Sequence, residues 1–251
     1  MSTEPVRYIS FYDSHAAGNE HTICLTRLNP ASLNSEAGNV VFVKLNAAAA
    51  PQVSFVSRGT HIKRCGSGTL AVANYLYQHH FRKHFHTPIE TEAGVVELGC
   101  DAFGPYYIDI PLAQRPLTRP GLWQHLVKAR FQAGRDIGAN ADYSLLHFSS
   151  EAQLLELAPR LGLFARFTRR ALIAVAGSGE RSLLRYFAPQ YGAGEDNATG
   201  SAAVQLARYW FDTFGGSRLM ISQRSKAGGV IQTNRLPAGR VQVRGQCREV
   251  A

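Results

Sequence analysis

Residues Arg185 to Phe211 read RYFAPQYGAGEDNATGSAAVQLARYWF, and the fold is decided by how this stretch is read. It begins as a strand: Leu183, Leu184, Tyr186 and Phe187 make a short apolar, aromatic run that Pro189 stops. Gly192 and Gly194 let the backbone turn before the acidic pair Glu195 and Asp196. Thr199, Gly200 and Ser201 then open a helix. Its first N–H groups have no partner inside the helix, and such a start favours an anion in front of it. From Ala202 to Phe211 only Gln205 and Arg208 are strongly polar. A helix apolar on nearly every side has to be enclosed.

The same device occurs earlier, in Arg64 to Leu76, RCGSGTLAVANYL. At an offset of 134 residues (199 minus 65), Cys65 aligns with Thr199, Gly66 with Gly200, Ser67 with Ser201, Ala73 with Ala207 and Tyr75 with Tyr209. From Leu70 to Tyr77 only Asn74 is strongly polar. Two copies of one unit imply two related halves. No apolar run is long enough to cross a bilayer, so each helix is expected inside a curved sheet of the protein itself.

The block FAPQYGAGEDNATGSAA (187–203) resembles the second signature of the PhzF-like family, the phenazine-biosynthesis isomerases and their relatives. RCGSGTLAVANYL resembles the first signature of that family and of the diaminopimelate epimerases and proline racemases. Weaker similarity runs through DSHAAGN (13–19), ISQRSKAGGVIQTNRL (221–236) and GRVQVRGQ (239–246), so it spans nearly the whole chain. The resemblance implies an α+β, diaminopimelate-epimerase-like fold of two similar halves, each a curved, barrel-like mixed sheet around a central helix. It also implies a homodimer and a cofactor-independent isomerase or epimerase, moving a proton next to the carboxylate of a small metabolite.

Local signals fill in this frame. Pro111, Pro116 and Pro120 punctuate a linker, which divides the chain at 1–112 and 113–251 and leaves the last strand free to cross to the first half. A hairpin is expected about Ala93-Gly94, helices over 121–132 and from Ser150 to Arg160, and a closing antiparallel set over 218–223, 229–234 and 240–246.

The family places its catalytic glutamate in a pattern like Ser-Glu-x-x-Phe-Val. Ser35-Glu36 fits if extra residues precede Phe42; counted back without a gap, Asn39 stands at that place. An asparagine amide cannot accept and return a proton near neutral pH, whereas a partly desolvated glutamate can. Ser67 stands where the isomerases usually carry a histidine. The expected catalytic residues are Glu36, Cys65 and Asp196, with Asn39, Gly66, Ser67, Thr199, Gly200 and Ser201 binding substrate; Glu195 is read as structural. Cys65 has two readings: beside Arg64 and close to two helix starts its pKa would be lowered, or it is a small buried filler, as relatives of the PhzF type can carry a cysteine here without using it. In the epimerases a cysteine at this place works with a second one from the other half, where this chain has Thr199. Three readings stay open: an isomerase with Glu36 as base, a Cys65-dependent racemase or dehydratase of an amino or hydroxy acid, and a catalytically silent relative that binds a small carboxylate or a partner protein.

Composition bounds these readings. The chain has 251 residues, 45% hydrophobic and 18% charged, with a net charge of +9. The positive residues are scattered and no nucleic-acid motif accompanies them, so the excess is expected to draw in anionic substrates and not nucleic acid. The first residues, MSTEPVRY, are polar, which predicts a cytoplasmic protein without a membrane anchor. The four cysteines show no CxxC spacing, which argues against disulfides and zinc. His80 and His84, four apart, would share a helix face, but no glutamate follows in place to complete a metal site. With no phosphate loop or dinucleotide fingerprint, no cofactor is expected.

Overall fold

A computed structural model describes residues 4–25, 38–46 and 49–250. Glu36 lies outside the described residues. Among those described, no helix is long and apolar enough to cross a membrane.

The strands form one mixed sheet that curls around two helices and stays open. In the first half, Val6–Ser10, Asn19–Leu25, Asn39–Lys44, Gln52–Ser57, Phe85–Thr91, Gly94–Asp101 and Gly104–Asp109 surround the helix Gly66–Leu76. In the second, Ala133–Ile137, Tyr143–His147, Ala171–Ser178, Arg181–Ala188, Arg218–Gln223, Gly229–Arg235 and Val241–Arg244 surround Gly200–Phe214. The strands match step for step. The second and third are parallel in both halves, with Thr22 opposite Val40 and Tyr143 opposite Ala171. So are the fourth and fifth, with Gln52 opposite Glu90 and Arg181 opposite Met220. After each fourth strand a short hairpin strand, Thr60–Ile62 or Ala193–Glu195, leads into the helix start.

The halves are joined where Gly104–Asp109 runs antiparallel to Val241–Arg244. The segment that leads into the second half adds a strand to the second sheet, and the end of the chain adds one to the first. Gln114–Pro116 pairs with Ala133–Ile137, and Cys247–Val250 pairs with Val6–Ser10. The few polar residues of the two central helices hold these crossings. Asn74 donates to the Cys247 carbonyl at 2.9 Å, and Gln205 accepts from the Leu112 N–H at 2.9 Å. Every residue of Gly66–Leu76 is buried, as is Gly200 to Phe211 apart from Arg208. Enclosure by sheet is thus what permits helices with no polar face.

Three short helices, Pro120–Val127, Glu151–Leu155 and Leu161–Phe167, cover the outer face of the second half through Trp123, Leu126, Leu154 and Phe164. Two are shorter than the sequence implies. The helix expected over 121–132 ends at Val127 because Lys128 turns left-handed, at φ 54°. The helix begun at Ser150, whose hydroxyl caps the Gln153 N–H at 3.2 Å, ends at Leu155 ahead of Pro159, which has no N–H to continue it. His80 and His84 do not share a helix face either. The first central helix widens into a π-turn over Tyr77–Phe81 and stops at left-handed Arg82.

Candidate active site

The two helix starts meet at the floor of a cavity of about 530 Å³ between the halves. Gly66 and Gly200 are there because nothing larger fits: a β-carbon on Gly66 would lie 2.5 Å from the Gly200 carbonyl carbon and from the Ser201 nitrogen. The Tyr107 hydroxyl is wedged against both glycines, is buried, and has no hydrogen-bond partner among the described residues. Two helix N-termini that converge in this way concentrate partial positive charge and unpaired N–H donors at one spot.

Around this floor the cavity is lined by Cys65, Ser67, Thr199 and Ser201 from the helix starts, Asn19, Asn39 and Ser57 from first-half strands, and Asp196. Tyr143, Tyr186 and Tyr191 form an aromatic wall on the second-half side. The strand carrying Tyr143 is held from behind by buried Arg170, which donates to the Tyr143 carbonyl at 2.6 Å and the Ile137 carbonyl at 3.1 Å. At the mouth, Arg64 pairs with Asp142 at 3.4 Å and Lys63 with Glu92 at 3.5 Å, while Arg58 reaches across to the Gly192 carbonyl at 3.1 Å.

Asp196 is the most heavily hydrogen-bonded acid of the site. Its Oδ1 accepts from Asn19 Nδ2 at 3.1 Å and its Oδ2 from the Thr199 hydroxyl at 2.5 Å. Gln223 ties the same loop together, accepting from the Thr199 N–H at 2.7 Å and donating to the Asp196 carbonyl at 2.8 Å. Burial pushes the Asp196 carboxyl above the usual carboxylate range, while Thr199, the Asn197 N–H, Asn19 and the charge of Arg58 pull the other way. Its neighbour Glu195 is structural: it holds Arg185 at 2.8 and 3.0 Å, and Arg185 in turn donates to the Leu157 carbonyl at 2.6 Å.

Of the residues expected from sequence, Cys65, Asp196, Asn39, Gly66, Ser67, Thr199, Gly200 and Ser201 all line one cavity. Of the two readings of Cys65, the acidic thiol is overturned. Burial pushes it up to about 11, Asp196 adds to the effect, and the Ser67 and Gly68 hydrogen bonds only partly offset it. Arg64 is turned to Asp142. Sequence reasoning missed Asn19, Ser57, Gln223, Tyr107 and the three cavity tyrosines. Asn19 and Gln223 lie inside stretches singled out for weak similarity, DSHAAGN and ISQRSKAGG; nothing marked Ser57 or Tyr107. Among the described residues, no group of three or more His, Cys, Asp or Glu side chains is placed to hold a metal ion.

Comparison with known proteins gives this geometry a context. A family model described as phenazine biosynthesis-like protein matches residues 135–248. An uncharacterized isomerase of Halalkalibacterium halodurans is 28% identical over 192 residues, 74% of this chain and 71% of that protein. One of Pseudomonas aeruginosa is 26% identical over 201 residues, 80% and 76% of the two chains. One of Vibrio cholerae is 42% identical over 82 residues, covering 32% of this chain and only 29% of that protein. The crystal structure of a phenazine biosynthesis PhzC/PhzF protein from Clostridium difficile superposes with a TM-score of 0.77 at 22% identity, covering 98% of this chain and 96% of that one. A hydroxyproline epimerase of Agrobacterium vitis, solved with trans-4-hydroxy-L-proline, shares the fold with a TM-score of 0.61 at 10% identity, over 98% and 91% of the two chains.

Proposed function

We propose, from its similarity to the phenazine biosynthesis-like, or PhzF-like, isomerases, that this chain belongs with them and moves a proton next to the carboxylate of a small metabolite without a cofactor. The observation that carries this reading is the contact of Gly66 with Gly200, which aims two helix starts at one point of the cavity beside Asp196. A substrate carboxylate seated on those N–H groups has its neighbouring carbon within the part of the cavity that Asp196 faces. Asp196 takes the proton from that carbon, and the electron pair left behind spreads into the carboxylate, where the helix starts stabilise the growing negative charge. In a substrate with a carbon–carbon double bond next to that carbon, Asp196 then returns the proton to the far end of the double bond, which shifts by one position toward the carboxylate, and the carboxylate is regenerated; without the double bond the proton returns to the same carbon, and the step is seen as exchange.

One base on one side of the substrate suits isomerisation better than racemisation. A racemase needs a second base facing the first, and the thiol of Cys65, pushed up to about 11, is protonated near neutral pH. Thr199 takes the place that a second cysteine holds in the epimerases.

The test is proton exchange. The protein is incubated in heavy water with a panel of amino acids, hydroxy acids and ring carboxylates, and deuterium entering carbon is followed by NMR. Exchange that survives Glu36→Gln and Cys65→Ala but disappears in Asp196→Asn supports the reading. Compounds that stay unlabelled while raising the melting temperature would show a binding protein instead.

A further inference from the structure

The hydrogen bonds behind Asp196 have a direction. Ser57 Oγ donates to Asn39 Oδ1 at 2.8 Å, Asn39 Nδ2 to Asn19 Oδ1 at 3.1 Å, and Asn19 Nδ2 to Asp196 Oδ1 at 3.1 Å. Neither amide can be turned around. The nitrogen of Asn39 also faces the Glu20 carbonyl at 3.2 Å, and that of Asn19 faces the Ala198 carbonyl at 3.2 Å; backbone carbonyls only accept. Both amides are therefore fixed with their donors pointing toward Asp196. The other side is fixed in the same way. The Thr199 N–H holds Gln223 Oε1, so Gln223 Nε2 donates to Thr199 Oγ1 at 3.2 Å, and the Thr199 hydrogen is left for Asp196 Oδ2. Each carboxylate oxygen meets a donor.

We propose that Asn39 and Asn19, anchored by Ser57, are positioning residues of the proton-transfer site, holding Asp196 in one orientation and in its ionised form. This rests on the reading of Asp196 as the base. It gives Asn39 a task different from that of the glutamate expected at its place: it takes no proton, and it transmits a hydrogen bond from the first half of the molecule to the acid of the second. The ladder opposes burial, which favours the neutral acid, so the balance of the two decides whether Asp196 is ready to accept a proton. The other titratable or charged groups coupled to Asp196 are Arg58 from the hairpin tip, Cys65 from the first helix start and Tyr186 from the neighbouring strand.

The direct test is the titration of the Asp196 side-chain carboxyl carbon by NMR, assigned with Asp196→Asn. Asn19→Ala, Asn39→Ala and Ser57→Ala are each expected to move it upward, by roughly half a unit to one unit for Asn19→Ala, the size of one lost hydrogen bond to the carboxylate, and by less for Asn39→Ala and Ser57→Ala, whose bonds reach Asp196 only through Asn19. Ser57→Thr, which keeps the hydroxyl, should bring it back. A residue that merely packs would lower the melting temperature without moving this titration. Folded Asn39→Ala and Ser57→Ala proteins with an unshifted Asp196 would overturn the proposal. The pH profile of deuterium exchange should shift by the same amount. A wild-type protein silent in exchange speaks against the isomerase reading, while the carboxyl titration still decides the ladder.

Discussion

Gly66 and Gly200 pack backbone against backbone: a β-carbon on Gly66 would stand 2.5 Å from the Gly200 carbonyl carbon and from the Ser201 nitrogen, and one on Gly200 3.0 Å from the Gly66 carbonyl carbon. Neither neighbour is a flexible side chain that could yield, so the space can be made only by parting the helix starts. Gly66→Ala is expected to cost about 2–3 kcal/mol by overpacking and to abolish exchange. Urea unfolding and the exchange assay check the two parts separately. A variant of full stability and full activity would mean that the helix starts need not touch.

Cys65 is expected to be a slow thiol. With its pKa near 11, about one molecule in 10⁴ carries the thiolate at pH 7, against a few per cent for an ordinary cysteine. Iodoacetamide labelling of Cys65, followed by peptide mapping to separate it from Cys24, Cys100 and Cys247, should run about three hundred times slower than that of a free cysteine and rise about tenfold per pH unit. Rapid labelling at pH 7 would restore the thiol as a candidate base.

His21 makes stability depend on pH. It is fully buried with both ring nitrogens unpartnered among the described residues, and burial pushes its pKa down to about 3, from 6.5 in the unfolded chain. The unfolded state therefore binds the proton first. The stability associated with neutral His21 is present in full above pH 6.5 and falls by about 1.4 kcal/mol per unit as the pH drops from there toward 3. His21→Leu should flatten the melting temperature between pH 7 and pH 4. An equally steep wild-type and variant curve would assign the acid sensitivity to other groups.

Asn74 is expected to hold the crossing strand in place. Asn74→Ala removes the hydrogen bond to the Cys247 carbonyl and should cost about 1 kcal/mol, because a part-buried acceptor loses its partner. Amide exchange in Val6–Ser10, the strand that Cys247–Val250 covers, should speed up more than exchange in the second half. Uniform acceleration across both sheets would contradict a local role.

Much of this was legible in the chain. The apolar character of 70–77 and 202–211 required enclosed helices, and Cys65-Gly66-Ser67 aligned with Thr199-Gly200-Ser201 marked the two halves and the cavity floor. Asn74 and Gln205 were visible as polar exceptions, though not as clasps for strands arriving from the other half. What stayed hidden depends on distance in space. Asn19, Asn39 and Ser57 sit on three separate strands, and only sheet register lines them up toward Asp196. The two readings of Cys65 could not be separated in the chain, because Arg64, adjacent in sequence, turns to Asp142, while burial, which a sequence does not display, dominates.

The return of the last strand to the first half gives the molecule the topology of a clasped pair. Gln114–Pro116 opens the sheet of the second half, Cys247–Val250 completes that of the first, and the path from first half to second runs through the few residues between Asp109 and Gln114. A single cut in that segment would leave two fragments, one carrying a β-strand of its neighbour's sheet and both still clasped where Gly104–Asp109 meets Val241–Arg244. In that sense one polypeptide encloses its cavity as two subunits would, and the covalent link serves mainly to keep them at equal number.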